Sequence, residues 1–398
     1  MKKYILSKKI FSILIILLPF FYQYKGFYYI SFGELLLFPF MIYFFIHDKK
    51  LKVYKKEWLF YSYIIFSTIF CMVFSYFEIS SALTVITRMI YYAILIKEAT
   101  YHFSWKNVEK FYIITVILFS VYLLIQFFYN KITNDYLPIY INYNFIFTPE
   151  QRAKDLIEYY KWNFRPSSLF LEPSYYALYC IPFLCFEIFK SDKKIKDYIF
   201  LLLITSSVFI SGAGSGIMAI LLLGCYFFFI KLKRIGVSSK ITSIMILILI
   251  IFIIICFLSL NLEGTSLHRL QTGGSMNQRI TRGIIIFKEL TLLHKIFGVG
   301  INNIENYMIQ NKISTPFDEA NLNYMCSILQ VLNCFGMIGI VLFINYIYSI
   351  WKKINRIIIL KSLFFMMIFV MSYEGILFTY RFAFLFIILN SDIKFYNN

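Results

Sequence analysis

Charge is scarce in this sequence. Only 15% of its 398 residues are Asp, Glu, Lys or Arg, while 60% are hydrophobic. A soluble domain of this size could not bury so much apolar surface, so the bilayer is the expected solvent. Paired cysteine motifs are missing as well. The seven cysteines, at 71, 180, 185, 225, 256, 326 and 334, lie almost entirely within apolar runs, with no CxxC and no Cys/His cluster. That excludes a sequence-evident zinc site or disulfide framework. Internal repeats and low-complexity linkers are absent too, so residues 1–398 read as one integral membrane domain. The N-terminus, MKKYILSKKIFSILIILL, has the basic start and apolar run of a signal peptide. It lacks a small-residue cleavage site and therefore reads as an uncleaved first span.

What the chain has in excess is apolar length, with a mean hydropathy of +0.70. A window of about 19 residues finds about twelve apolar segments, at 10–22, 32–46, 58–76, 82–96, 111–129, 169–189, 198–210, 217–230, 241–260, 324–350, 357–372 and 375–389. The expected fold is an all-α polytopic membrane protein of about 12 transmembrane helices with two large outward-facing loops, 130–167 and 261–323. Orientation follows from the basic residues. One alternate set of connections carries 25 Lys and Arg, and the other, despite holding both large loops, carries 12. By the positive-inside rule both termini are cytoplasmic and both large loops face outward. The same distribution accounts for the net charge of +18, so no nucleic-acid partner is expected.

At the end of the first large loop stands RPSSLFLEPSYYA, residues 165–177, where polar sequence runs without a break into an apolar segment. Ionisable groups at such a depth are costly and mark functional sites by default. Pro166 biases Arg165 towards an extended backbone, and Glu172-Pro173-Ser174 interrupts the apolar pattern at a helix start. Such a break is tolerated where it lines a polar cavity. Arg165 can bind an anion such as phosphate, whose geometry matches the guanidinium fork; Glu172 can orient or deprotonate a nucleophile. The bland readings are an arginine snorkelling to head groups and a glutamate paired with a neighbouring cation. Upstream, PEQRAKDLIEYYKWNF predicts an amphipathic helix capped near Thr148 with Pro149 at its first position.

The second loop contains a helical pattern from Gln278 to Phe297, with Ile280, Ile284, Phe287 and Leu290 on one face. Arg279 and Arg282, three apart, share another face near the helix start, where amide groups also favour anions. Contact with lipid phosphates is the competing explanation. The helix is expected to stop at Gly298-Val299-Gly300. GAGSG at 212–216 has no following Lys and no preceding strand, so it reads as close helix packing and not as a nucleotide loop. Arg88 and Arg381 fall within spans, and Glu374 is a possible partner for Arg381.

The outward RPSSLFLEPSYYALY element, and an arginine 19 residues before GVG, resemble the Wzy-type O-antigen and capsule polysaccharide polymerases. The plan of about a dozen spans with two arginine-bearing outward loops is similar too. Related O-antigen ligases carry a His-Asn pair before the following span. Asn321 matches its asparagine, but Ala320 stands where the histidine would be, which favours the polymerase and leaves the base unassigned. The resemblance implies a membrane-embedded glycosyltransferase of the GT-C-like class, acting on undecaprenyl-pyrophosphate-linked oligosaccharide. It implies membrane lipid, a flippase and a chain-length regulator as surroundings. Catalytic roles fall to Arg165, Glu172, Arg279 and Arg282, and substrate contacts to Arg165, Ser174, Tyr176, Arg279, Gly298, Gly300, Asn321 and Arg381. With no metal-ligand cluster in the sequence, no metal or cofactor is expected. A ligase and a lipid-linked oligosaccharide flippase are the alternatives. A flippase should show arginines spread through the spans and an internal repeat.

Overall fold

The computed structural model describes residues 2–27, 30–48, 55–74, 77, 79–141, 145–147, 154, 155, 157, 158, 160, 161, 164–236, 238, 274–315, 325–354 and 357–391. The span expected at 241–260 and the position of Asn321 lie outside them. The described chain is almost wholly helical, in order α1 (Lys2–Phe21), α2 (Phe32–Asp48), α3 (Lys55–Phe74), α4 (Ile79–His102), α5 (Trp105–Thr133), α6 (Pro173–Phe189), α7 (Ile195–Ile210), α8 (Gly214–Arg234), α9 (Gly274–Glu289), α10 (Leu292–Phe297), α11 (Ile304–Gln310), α12 (Ser327–Ile354), α13 (Ile358–Tyr373) and α14 (Tyr380–Asn390). A short antiparallel hairpin, β1 (Lys25–Phe27) with β2 (Ile30–Ser31), joins α1 to α2.

Four of these helices are long and apolar enough to cross a bilayer: Tyr4–Phe21, Trp105–Thr133, Gly214–Arg234 and Ser327–Ile354. Shorter apolar helices accompany them. Large apolar side chains stand exposed along the outer faces of α3, α5, α7 and α12, among them Phe66, Ile125, Leu202 and Ile344. A chain that presents apolar faces outward over such lengths is membrane-associated.

Two helices are apolar and buried nearly all round, as central helices must be. In α6 every residue from Tyr176 to Glu187 is buried, and in α14 so are Tyr380 and Phe382 to Leu389. They meet through Tyr179 stacked on Phe384, with ring centroids 5.6 Å apart. The first turns of both helices lie at the same end of the bundle, which places Glu172 and Arg381 there together.

Helix ends are fixed by identifiable groups. Ser31 and Glu34 form a reciprocal capping box at α2: Ser31 N–H donates to Glu34 Oε2 (2.8 Å) and Glu34 N–H to Ser31 Oγ (3.2 Å). The pattern over 278–297 is divided between two helices, because Thr291 accepts from His294 N–H and caps a second one. α9 also begins at Gly274, so Arg279 and Arg282 stand in its second and third turns, away from the free amides of its start.

α12 is broken at Gly336 (φ 67°). Gly298 and Gly300 fill the break: Val299 N–H donates to Asn333 O (3.1 Å) and Gly300 N–H to Cys334 O (2.9 Å). A Cβ on Gly336 would lie 2.2 Å from Ile296 O, and one on Gly298 2.1 Å from Cys334 O, so only glycine allows this backbone approach.

At the opposite end from Glu172 and Arg381, polar groups knit the helix ends. Tyr4 donates to Asp48 (2.6 Å), His102 contacts Asp48 (3.3 Å) and Glu98 (3.2 Å), and Lys97 pairs with Glu57. Lys190 joins Asp197 (3.2 Å).

Candidate functional site

The stretch around Arg165 is held by two buried amide side chains. Gln126 of α5 clamps Ser168 from both sides: its Oε1 accepts Ser168 N–H (2.9 Å) and its Nε2 donates to Ser168 O (2.9 Å). Gln23, just past α1, treats the next turn alike, donating to Leu169 O and accepting Leu171 N–H (3.0 Å). These bonds satisfy backbone groups that no helix or strand serves. They also fix Ser168 at φ 59°, a left-handed conformation uncommon for a residue with a side chain. α6 then begins at Pro173 with Glu172 as its N-cap residue, four residues later than the apolar pattern suggests.

Arg165 reaches across to the GAGSG turn between α7 and α8, where its Nη2 donates to Gly212 O. Burial lowers its pKa, and the nearby Glu172 carboxylate works the other way. Glu172 accepts the Ser174 hydroxyl (3.2 Å). Gly216 of this stretch does serve close packing, since a Cβ on it would lie 2.6 Å from Ala177 Cβ. The turn also contributes to the site, because Ser215 lies close enough to Glu374 and Tyr373 to favour the charged form of each.

A second polar centre forms on the turn between α13 and α14. Hydropathy alone joins residues 375–379 to the last span, but α14 starts only at Tyr380. Ser327, at the start of α12, pins this turn: its N–H and hydroxyl both donate to Glu374 O (3.0 and 2.7 Å), and its Oγ accepts Ile376 N–H (2.8 Å). The Glu374 side chain is buried between two guanidiniums. Arg381 Nη1 lies 3.1 Å from Oε2 and Arg279 Nη1 3.9 Å from Oε1. Arg381 also donates to Gly375 O (3.2 Å), and Arg279 to Tyr373 O (3.1 Å). The Arg381 guanidinium stacks 4.8 Å from the Tyr175 ring centroid. Burial raises the Glu374 carboxyl above its ordinary range against the pull of Arg381 and then Arg279; Glu172 adds to the rise.

The two centres are one electrostatic unit, since Glu172 acts on Arg165, on Arg381 and on Glu374. Three arginines and two glutamates, drawn from four segments of the chain, thus share one end of the helix bundle. No family model matches the chain, and no curated protein does. The site must therefore be read from its own chemistry.

On the other side of the 374–379 turn lies a cavity of about 150 Å³. Tyr22, Arg88, Asn302, Gln330, Phe378 and Thr379 line it. Tyr22 stacks on Tyr380 with centroids 3.9 Å apart, so cavity and ion cluster share a wall. Phe378 holds φ 60° and Asn302 φ 55°. Left-handed backbone costs a bulky residue such as phenylalanine roughly 1–3 kcal/mol, and strain of this kind gathers at functional sites.

Of the remaining sequence-derived positions, Arg282 is buried on α9, a helix that packs against α12. The Tyr176 hydroxyl contacts Ser120 (2.8 Å) and Ser207 (2.5 Å) inside the helix packing. Gly298 and Gly300 sit in the α12 break. The pairing of Arg381 with Glu374 is present. Sequence reasoning missed Gln23, Gln126, Ser215 and Ser327, and gave Arg88 no role.

Proposed function

We propose that the chain is a membrane glycosyltransferase that polymerises undecaprenyl-pyrophosphate-linked oligosaccharide repeat units into O-antigen or capsule polysaccharide. In this reading it has about twelve spans, lies in the cytoplasmic membrane with both termini inside, and works on the outer face, where a flippase delivers substrate and a chain-length regulator acts. The observation that supports it is the meeting of Arg279 and Arg381 on Glu374, with Arg165 and Glu172 in electrostatic range, at one end of an apolar bundle.

Three guanidiniums against two carboxylates leave a net positive field in a buried place. Such a field favours a pyrophosphate leaving group, and favours it more as charge develops in the transition state. The acceptor sugar hydroxyl attacks the anomeric carbon of the donor, the bond from that carbon to the phosphate oxygen breaks, and the hydroxyl proton passes to a base. Glu172 is the carboxylate we assign to that proton, because it stands half-buried at the mouth of α6. Arg282, three residues further along α9, adds a further charge.

Removing the protein from its host and sizing the surface glycan tests the reading. Single repeat units on the surface with no long chains are the expected result. Long chains left unattached would replace it with a ligase, and loss of all outer-face repeat units would replace it with a flippase.

A further inference from the structure

Two neighbouring helices leave an apolar groove between them. On α12, Ile340, Ile344, Ile347 and Trp351 recur at helical spacing, and Phe364, Ile368 and Met371 of α13 do the same opposite them. Both stripes line a cavity of about 350 Å³, and no charged side chain joins them among the described residues. Phe343 and Met371 are buried, whereas Ile344 is 60% and Tyr348 51% exposed, so the groove opens sideways from the bundle towards the bilayer.

One end of the groove meets the ion cluster. Ile328, which lines it, follows Ser327, whose N–H donates to Glu374 O (3.0 Å). Met371 precedes Glu374 by three residues, about one helical turn. α9 packs against both α12 and α13 at this end. There Arg279 donates to Tyr373 O (3.1 Å), and a Cβ on Gly283 would lie 2.8 Å from Leu329 Cβ. The groove thus runs from a place of net positive charge into apolar surroundings, between the two helices that α9 touches.

That arrangement is complementary to an anionic amphiphile. A tail moving from bilayer to groove gains packing and no hydrophobic free energy, since lipid is as apolar as the groove. The groove alone would therefore hold any acyl chain, and the charge at its mouth selects the headgroup. Zwitterionic phospholipid brings no net charge to that mouth; a diphosphate does. We infer, resting on the lipid-diphosphate reading given above, that the α12–α13 groove is the track of the polyprenyl tail, with its diphosphate at the Glu374 and Arg279 end. Volume sets how much of the tail is held. A cavity of about 150 Å³ takes the six carbons of benzene, so one of about 350 Å³ takes roughly fourteen, close to three isoprene units. The rest of the chain stays in the bilayer.

The experiment places photoreactive benzoylphenylalanine at Ile344 of the full chain, in nanodiscs of zwitterionic phospholipid doped with undecaprenyl diphosphate. Leu202 of α7, 69% exposed, carries the same label as the control. Mass spectrometry should find undecaprenyl diphosphate on position 344 about tenfold above the control, and Arg279→Ala should bring that yield down towards it, as loss of one charge-assisted contact predicts. Equal yields at the two positions would overturn the groove. So would a crosslink from position 344 to phospholipid, to residues 241–260 or to a second copy of the chain in place of the diphosphate. Should the label at 344 prevent folding, Tyr348 carries it under the same criteria. A wild-type protein that extends chains, while position 344 labels no better than 202, keeps the polymerase reading and loses the groove. Preferential labelling at 344 in a protein that extends nothing does the reverse.

Discussion

Arg381 Nη1 stands 3.1 Å from Glu374 Oε2, so the first turn of the last described helix is tied to the residue that ends the helix before it. Arg279, from a distant part of the chain, closes on the other oxygen of the same carboxylate. One buried acid thereby gathers three segments.

Removing that acid should be more damaging than removing an isolated surface charge. Glu374→Ala would leave two half-buried guanidiniums without their carboxylate, and as breaking a fully buried pair costs about 3–5 kcal/mol, a smaller loss is expected here. Fluorescence-detected thermal unfolding in detergent should show a lower transition temperature for Glu374→Ala than for Glu374→Gln, which keeps an acceptor oxygen. Equal transitions for both variants and wild type would show that the cluster carries no stability.

Gln126 makes a narrower case. Gln126→Leu fills similar space but abandons both backbone groups of Ser168, each unsatisfied group costing roughly 1–3 kcal/mol. The expected outcome is faster proteolysis within residues 164–171 in the folded protein, together with loss of activity. Unchanged cleavage would mean that the loop is held by something else.

The α12 break predicts a steric result. Gly336→Ala places a Cβ 2.2 Å from Ile296 O in a left-handed backbone, and nothing nearby is a flexible side chain end. A penalty of more than about 2 kcal/mol is expected, read as a fall in the yield of monodisperse protein. Gly224→Ala, where a Cβ meets nothing within 4 Å, is the matched control.

Much of the helical plan was legible because apolar runs at helical length leave little choice once the solvent is a bilayer. The stretch 165–177 stood out for the same reason, since an arginine and a glutamate there break an otherwise apolar run. Other features carry no pattern. A lone glutamine in an apolar helix, such as Gln126, has no spacing that announces a backbone clamp. Gly336 and Gly339 look alike in sequence, yet only Gly336 adopts a positive φ, because the 298–300 segment arrives there from elsewhere in the chain. The turn at 375–379 is apolar but for Thr379, so hydropathy merges it with α14, and its true end depends on the Ser327 bonds. Arg88 was visible as a charge in a span, but the cavity it lines is built from five separate segments.

Orientation can be checked without knowing the substrate. Asn134 and Ser191 are exposed at opposite ends of the bundle. Asn134→Cys should react with a membrane-impermeant maleimide added outside intact cells, and Ser191→Cys only after permeabilisation. The reverse pattern would invert the chain and place the arginine cluster on the cytoplasmic side.

The central claim is that the arginine-glutamate end of the bundle joins lipid-linked sugars. Purified protein in nanodiscs, supplied with undecaprenyl-pyrophosphate-linked repeat units and no nucleotide sugar, should produce a ladder of longer lipid-linked glycans on a gel. Arg165→Ala and Arg279→Ala protein of the same monodispersity should leave the single unit unextended. A ladder of equal length from both variants, or none from the wild-type protein, would contradict the account.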